Sequence, residues 1–134
     1  MINQDCARSL LMYLNDQLRI PASGKHPKPV KLKKELSDDS PRDNPLRDYP
    51  KEDVYAAARF LVEKRFVEIV AIDPNRVLDI APRAYVFRSV TAKGSEYLEK
   101  IKSPKAWSFL KNRFGNVFEA TLPQLIASLA GQLF

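Results

Sequence analysis

Glycine is scarce in this chain of 134 residues, with only Gly24, Gly94, Gly115 and Gly131. No glycine-rich loop follows a strand, which excludes the phosphate-cradling turns of the common nucleotide-binding motifs. Cysteine and histidine are scarcer still. Cys6 has no second cysteine to pair with, and a single His26 beside it in the inventory provides neither a zinc-ligand spacing nor a Cys/His pair for nucleophilic catalysis. Residues Met1 to Asp5 carry no basic start leading into an apolar run, and no stretch approaches the ~18 apolar residues of a membrane span. The expectation is a cytoplasmic, non-enzymatic protein with no metal, no cofactor and no membrane partner.

What is present is ordinary in amount and uneven in placement. Hydrophobic residues make up 45% and charged residues 28%, which suits one globular domain rather than a disordered chain. The ten prolines crowd mainly into residues 21–50, which predicts one long, stiff, irregular connection. Twenty-two Lys and Arg against sixteen Asp and Glu give +6, a balance that favours polyanionic partners. Lys25, Lys28, Lys31, Lys33 and Lys34 fall in one window without an acid, whereas Glu35, Asp38, Asp39, Asp43 and Asp48 follow. The connection is basic first and acidic second.

Apolar spacing predicts an amphipathic helix over Asn3 to Leu18, with Cys6, Ala7, Leu10, Leu11, Leu14 and Leu18 on one face. Pro29 to Lys33 alternates apolar and basic side chains, as a short edge strand does. Asp38 to Pro50 has no period and reads as a loop. A helix then starts at Pro50 or Lys51, with Val54, Ala57, Ala58, Leu61 and Val62 buried and Glu52, Tyr55, Ala56, Arg59 and Glu63 facing solvent. Val67 to Ile72 predicts a strand, Asp73-Pro74-Asn75 a turn, Val77 to Ile80 an extended return limb interrupted at Ala81-Pro82-Arg83, and Tyr85 to Val90 a further strand. Three helices follow. Thr91 caps one with Tyr97, Leu98 and Ile101 inward; Ser103-Pro104 starts a second that stops at Gly115; Thr121-Leu122-Pro123-Gln124 is a capping box for a third.

Two junctions resemble those of winged-helix domains. Val62 to Glu68 is similar to their exit from a helix into a hydrophobic strand, with Arg65 or Phe66 where a glycine is usual. Tyr85 to Leu98, with Thr91-x-x-Gly94, resembles their passage from the wing into the last helix. Lys105-Ala106-Trp107 followed by Leu122 to Leu133 is similar to the tail of a family of small winged-helix proteins of prophages and bacterial mobile elements, whose members carry one helix after a first strand. This resemblance implies an α+β winged-helix domain over residues 1–102, with the proline-rich basic and acidic loop at 21–50, and a C-terminal helical extension over 103–134. A fold of this kind does not fix a function.

The candidate nucleic-acid contacts are Lys25, Lys28, Lys31, Lys33, Lys34, Arg59, Arg76, Arg83 and Arg88. The lysine run suits a phosphate backbone, an acidic protein surface or the protection of a strand edge. Arg59 suits a guanine edge in a major groove, but Glu52 and Glu63 on its helix face oppose phosphate, and an ordinary solvated face fits it equally. Arg76, Arg83 and Arg88 suit a wing that enters a minor groove, or a hairpin kept soluble. Asp38, Asp39, Asp43 and Asp48 read as a solvated acidic loop rather than metal ligands, and Trp107, Phe109, Phe114 and Phe118 as core or interface rather than a stacking platform. Leu122, Leu125, Ile126, Leu129 and Leu133 form an interface stripe, expected to pack on the first helix or across a dimer axis. The expectation is a nucleic-acid-binding regulator; the alternative is an adaptor or inhibitor that binds a host protein through the same fold.

Overall fold

A computed structural model of the protein describes residues 2–20, 23–37, 44–71 and 73–133, the side chains of 74, 77, 78, 132 and 133 excepted. The first helix, α1 (Gln4–Gln17), begins at Asn3, whose side-chain oxygen accepts from the Cys6 amide at 3.1 Å. Its stripe Cys6, Ala7, Leu10, Leu11 and Leu14 is sealed from solvent, as the three- and four-residue spacing requires. The chain then forms β1 (Val30–Lys31), α2 (Leu32–Glu35), a 3-10 turn at Pro45–Asp48, and α3 (Lys51–Glu63). After α3 come β2 (Val67–Ile69), 3-10 turns at Pro74–Asp79 and Pro82–Ala84, and β3 (Val86–Val90). The remainder is helical, with α4 (Ala92–Ile101), α5 (Pro104–Phe114), a 3-10 turn at Val117–Glu119 and α6 (Leu122–Leu133).

The three strands form an antiparallel sheet in the order β1-β3-β2. Val30 pairs with Phe87 and Lys31 with Val86 on one side of β3. On the other side the register jumps: Glu68 faces Ser89 but Ile69 faces Phe87, which leaves Arg88 as an extra residue, a β-bulge. The inner face, with Val30, Ile69 and Phe87, closes on α1, and α1 also packs along α3 and α4.

Three expectations are corrected. The edge strand ends at Lys31 instead of Lys33, because Leu32 turns fully into the core, donates its amide to the Tyr85 carbonyl at 3.1 Å and starts α2. The strand from Val67 ends at Ile69; Val70 makes a last ladder bond to Val86 and its side chain is half exposed, while Ile72 lies outside the described residues. The limb expected to extend from Val77 to Ile80 is instead wound into the turn Pro74–Asp79, where the Asp73 side chain accepts from the Asn75 amide at 3.0 Å and fixes the bend. The strand that returns to β2 is therefore β3 alone.

The helices α4 and α5 and the turn that follows them are anchored on the first helix. Gln4 accepts from the Val117 amide and donates to the Gly115 carbonyl, both at 2.6 Å. Asp5 accepts from the Trp107 indole at 2.7 Å and from Lys111 at 3.1 Å, and these bonds, Trp107 first, hold its carboxyl below the usual range against the opposing effect of burial. Arg8 donates to the Ile101 and Lys102 carbonyls at the end of α4 and lies over the Trp107 ring. Phe118 stacks on Tyr97 with ring centres 5.6 Å apart and meets Phe60, Phe66 and Trp107. Thr121 and Gln124 form the reciprocal capping box of α6. Of the two placements expected for that helix, on α1 or across a dimer axis, the first is not what is found, since within the chain it rests chiefly on α4 and α5. Leu125 is fully buried there, Leu122 and Leu129 are half-buried, Ile126 is 45% exposed, and the side chain of Leu133 lies outside the described residues.

Candidate nucleic-acid interface

Side chains alternate along a strand, so the burial of Val30 and Phe87 turns Lys31 and Arg88 to the outer face of the sheet. The bulge places Arg88 where two open grooves meet, and it lines both. The first groove, about 710 Å³, runs between the end of α3, β2 and the Pro74–Asp79 turn. Its Arg65, Arg76 and Arg88 are matched by Glu63, Glu68 and Asp79. The second, about 660 Å³, lies between the last turn of α1, the segment that leads into β1, β3 and the start of α4. Arg19, His26 and Arg88 line it, and among its described lining residues there is no carboxylate. A third groove of about 730 Å³ between α1 and α2 mixes Arg8 and Lys34 with Asp16 and Glu35.

The expected contacts separate into groups. Lys25 and Lys28 are exposed and flank His26 and Pro27, which line the second groove, and Lys31 is exposed on β1. Lys33 and Lys34 are exposed on α2 rather than on a strand. Among the described residues, none of these five lysines forms an ion pair. Arg88 is likewise exposed, and no described carboxylate lies within ion-pair distance of it. Arg83 is exposed on the Pro82–Ala84 turn and lines none of the three grooves. Arg76 binds Asp79 at 3.1 Å, and Arg59 binds Glu63 one turn along α3, also at 3.1 Å. Such exposed pairs stabilise by only ~0.5 kcal/mol. They nevertheless place a carboxylate beside each guanidinium that a phosphate would have to reach.

Arg19 and Arg65 were not among the residues expected from sequence. Arg19 follows the last apolar position of α1 and precedes the proline bend, so its distance from Arg88 along the chain hides their shared groove. Arg65 takes the left-handed conformation, φ 60°, in the turn between α3 and β2. The acidic residues Asp38, Asp39 and Asp43 lie outside the described residues. Among those described, no group of three His, Cys, Asp or Glu side chains is placed to hold a metal ion, and no helix is long and apolar enough to cross a membrane.

The buried polar groups lie away from this face. Burial pushes the Cys6 thiol up to about 12, with the Asp53 charge adding to the rise. Burial also raises the Tyr85 phenol, an effect reduced by Arg59 and reinforced by Glu63, and among the described residues its hydroxyl has no hydrogen-bond partner. No family model, curated protein or solved structure matches the chain.

Proposed function

We propose that this is a winged-helix protein that binds nucleic acid through the outer face of its sheet and the segment leading into β1, without catalysing a reaction, and that it acts as a regulator of the kind carried by phages and mobile elements. The order helix, strand, short helix, helix, strand, strand, with β3 between β1 and β2, supports the winged-helix reading. The observation that carries the binding reading is that Arg19, His26 and Arg88 are exposed along a groove free of carboxylates among its described lining, with Lys25, Lys28 and Lys31 exposed on the segment that leads into β1 and on β1 itself. Such a set neutralises phosphates by releasing counterions and reads backbone rather than sequence.

The helix α3 contributes less. Arg59 is held by Glu63, and Glu52 adds a second negative charge to the exposed face. The reading therefore places the principal contacts on the sheet rather than on a helix laid in the major groove. Cys6 is fully buried and burial raises its thiol, so it offers no nucleophile at the surface. The adaptor reading draws on a different surface, the uncharged face of α6 around Ile126.

A mobility-shift assay with random and genomic duplexes at two salt concentrations tests the proposal. Phosphate contacts predict retention at low salt and a steep loss at high salt. No retention at low salt overturns it in favour of a protein partner.

A further inference from the structure

Resting on the nucleic-acid reading above, we propose that the groove between the end of α1 and β3 takes one nucleotide that is not base-paired, its phosphate held by Arg19 and Arg88 and its base laid against Ile20, Pro27 and Val90. Charge selects the ligand class first. The neighbouring grooves each contain carboxylates among their linings, whereas this one presents Arg19, His26 and Arg88 with none among its described lining. Guanidinium groups match phosphate oxygens in pairs of parallel hydrogen bonds.

Size and polarity then narrow the class. At about 660 Å³ the groove is far larger than a phosphate and falls in the ~300–1,000 Å³ range of small-ligand sites. Leu18, Ile20, Pro27, Pro29 and Val90 are apolar members of its lining, and Ile20 is 56% exposed, more than Val70 at 50% or Ile126 at 45%. A phosphate alone leaves that apolar surface in water. A paired base offers only its edges, so an apolar surface receives a base face only where the base is unpaired. Asn15 adds a side-chain amide that both donates and accepts, suited to the free edge of such a base.

Fluorescence anisotropy with three probes tests this: a blunt duplex, the same duplex with a short single-stranded overhang, and adenosine monophosphate. The overhang duplex is expected to bind about tenfold more tightly than the blunt one. Ile20→Ser removes that preference and leaves blunt-duplex affinity unchanged, while Arg19→Ala weakens the overhang duplex more than the blunt one. Both residues are exposed, and a thermal melt checks that each variant folds. Saturable binding of the mononucleotide that Ile20→Ser abolishes, without an overhang preference, supports the groove with free nucleotide as its source. Equal binding of both duplexes together with no mononucleotide binding overturns the proposal but leaves the phosphate-backbone reading standing. Failure of every probe to bind at low salt overturns both.

Discussion

Gly94 and the Phe66 carbonyl are interlocked: a Cβ on Gly94 would lie 2.1 Å from that oxygen. The same turn is gripped by Thr91, whose hydroxyl donates to the Arg65 carbonyl at 2.7 Å and accepts from the Gly94 amide at 3.1 Å, and whose own amide donates to the Phe66 carbonyl at 3.0 Å. The start of α4 is thus fixed on the exit of α3, and β3 is fixed with it. Gly94→Ala is expected to destabilise the protein by about 2–3 kcal/mol through overpacking against backbone. Alanine in a helix ordinarily gains up to ~1 kcal/mol over glycine. The sign of the change in urea unfolding therefore decides the matter, and a gain in stability would show that the turn yields.

Arg65, beside this lock, has the opposite requirement. Its φ of 60° strains any residue with a Cβ, a cost of ~1–2 kcal/mol that glycine escapes in part. Arg65→Gly should raise stability by up to about 1 kcal/mol in the same unfolding assay. Because Arg65 also lines the groove at the end of α3, the substitution should at the same time lower affinity for duplex at low salt. Backbone strain kept at one residue points to a role for its side chain, here a cation at the groove. Unchanged stability and unchanged binding would remove that interpretation.

The helices were legible in the sequence wherever their signals are local. Asn3, Thr91, Ser103 and Thr121 each accept from an amide three residues on, so the starts of four helices follow from single side chains. The sheet was less legible. Leu32 satisfies the inward position of a strand and of a helix alike, and only its burial beneath the Tyr85 segment decides for the helix. Val77 to Ile80 has strand composition, but the bends set by Asp73 and Pro82 override it. The lysines of the candidate interface were visible as a run. Arg88 was named as well, but its bulge was not legible, since it arises from pairing with β2, and Arg19 was missed because it reaches the same groove only through the packing of α1 on β3.

Within α6, adjacent residues have opposite surroundings. Leu125 is fully buried and Ile126 is 45% exposed. Leu125→Ala should therefore cost about 2–5 kcal/mol as a cavity mutation, while Ile126→Ala should change stability by no more than ~0.5 kcal/mol. Sedimentation separates the second possibility for this helix. If the stripe also joins two copies, Ile126→Ala shifts the protein toward monomer at high concentration; a monomer with either residue confines α6 to its own chain.

Buried ionisable groups set the alkaline limit. The Cys6 thiol rises from an ordinary 9.0 to about 12, and burial raises the Tyr97 phenol, whose hydroxyl donates between the Val117 and Ala120 carbonyls. A raised pKa means the folded state holds a proton that the unfolded chain releases. Stability is then fully present below the unfolded value and falls as pH rises from about 9 toward the folded value of about 12. Denaturant midpoints measured across that window should decline, and the decline should be shallower in Cys6→Ala. A flat profile in the unchanged protein would contradict the burial of both groups.

Arg88 and Arg59 offer the sharpest comparison of two candidate surfaces, the outer face of the sheet and the exposed face of α3. Both are exposed arginines, but Arg59 is bound to Glu63 at 3.1 Å, whereas among the described residues Arg88 has no carboxylate partner. Removing one phosphate contact from a duplex complex lowers the slope of log affinity against log salt by ~0.9. Arg88→Ala should show that reduction and a loss of affinity at low salt. Arg59→Ala should leave the slope unchanged, because freeing Glu63 removes no phosphate contact and adds an uncompensated negative charge. The reverse result, with the slope falling for Arg59 and holding for Arg88, would move the interface from the sheet to α3.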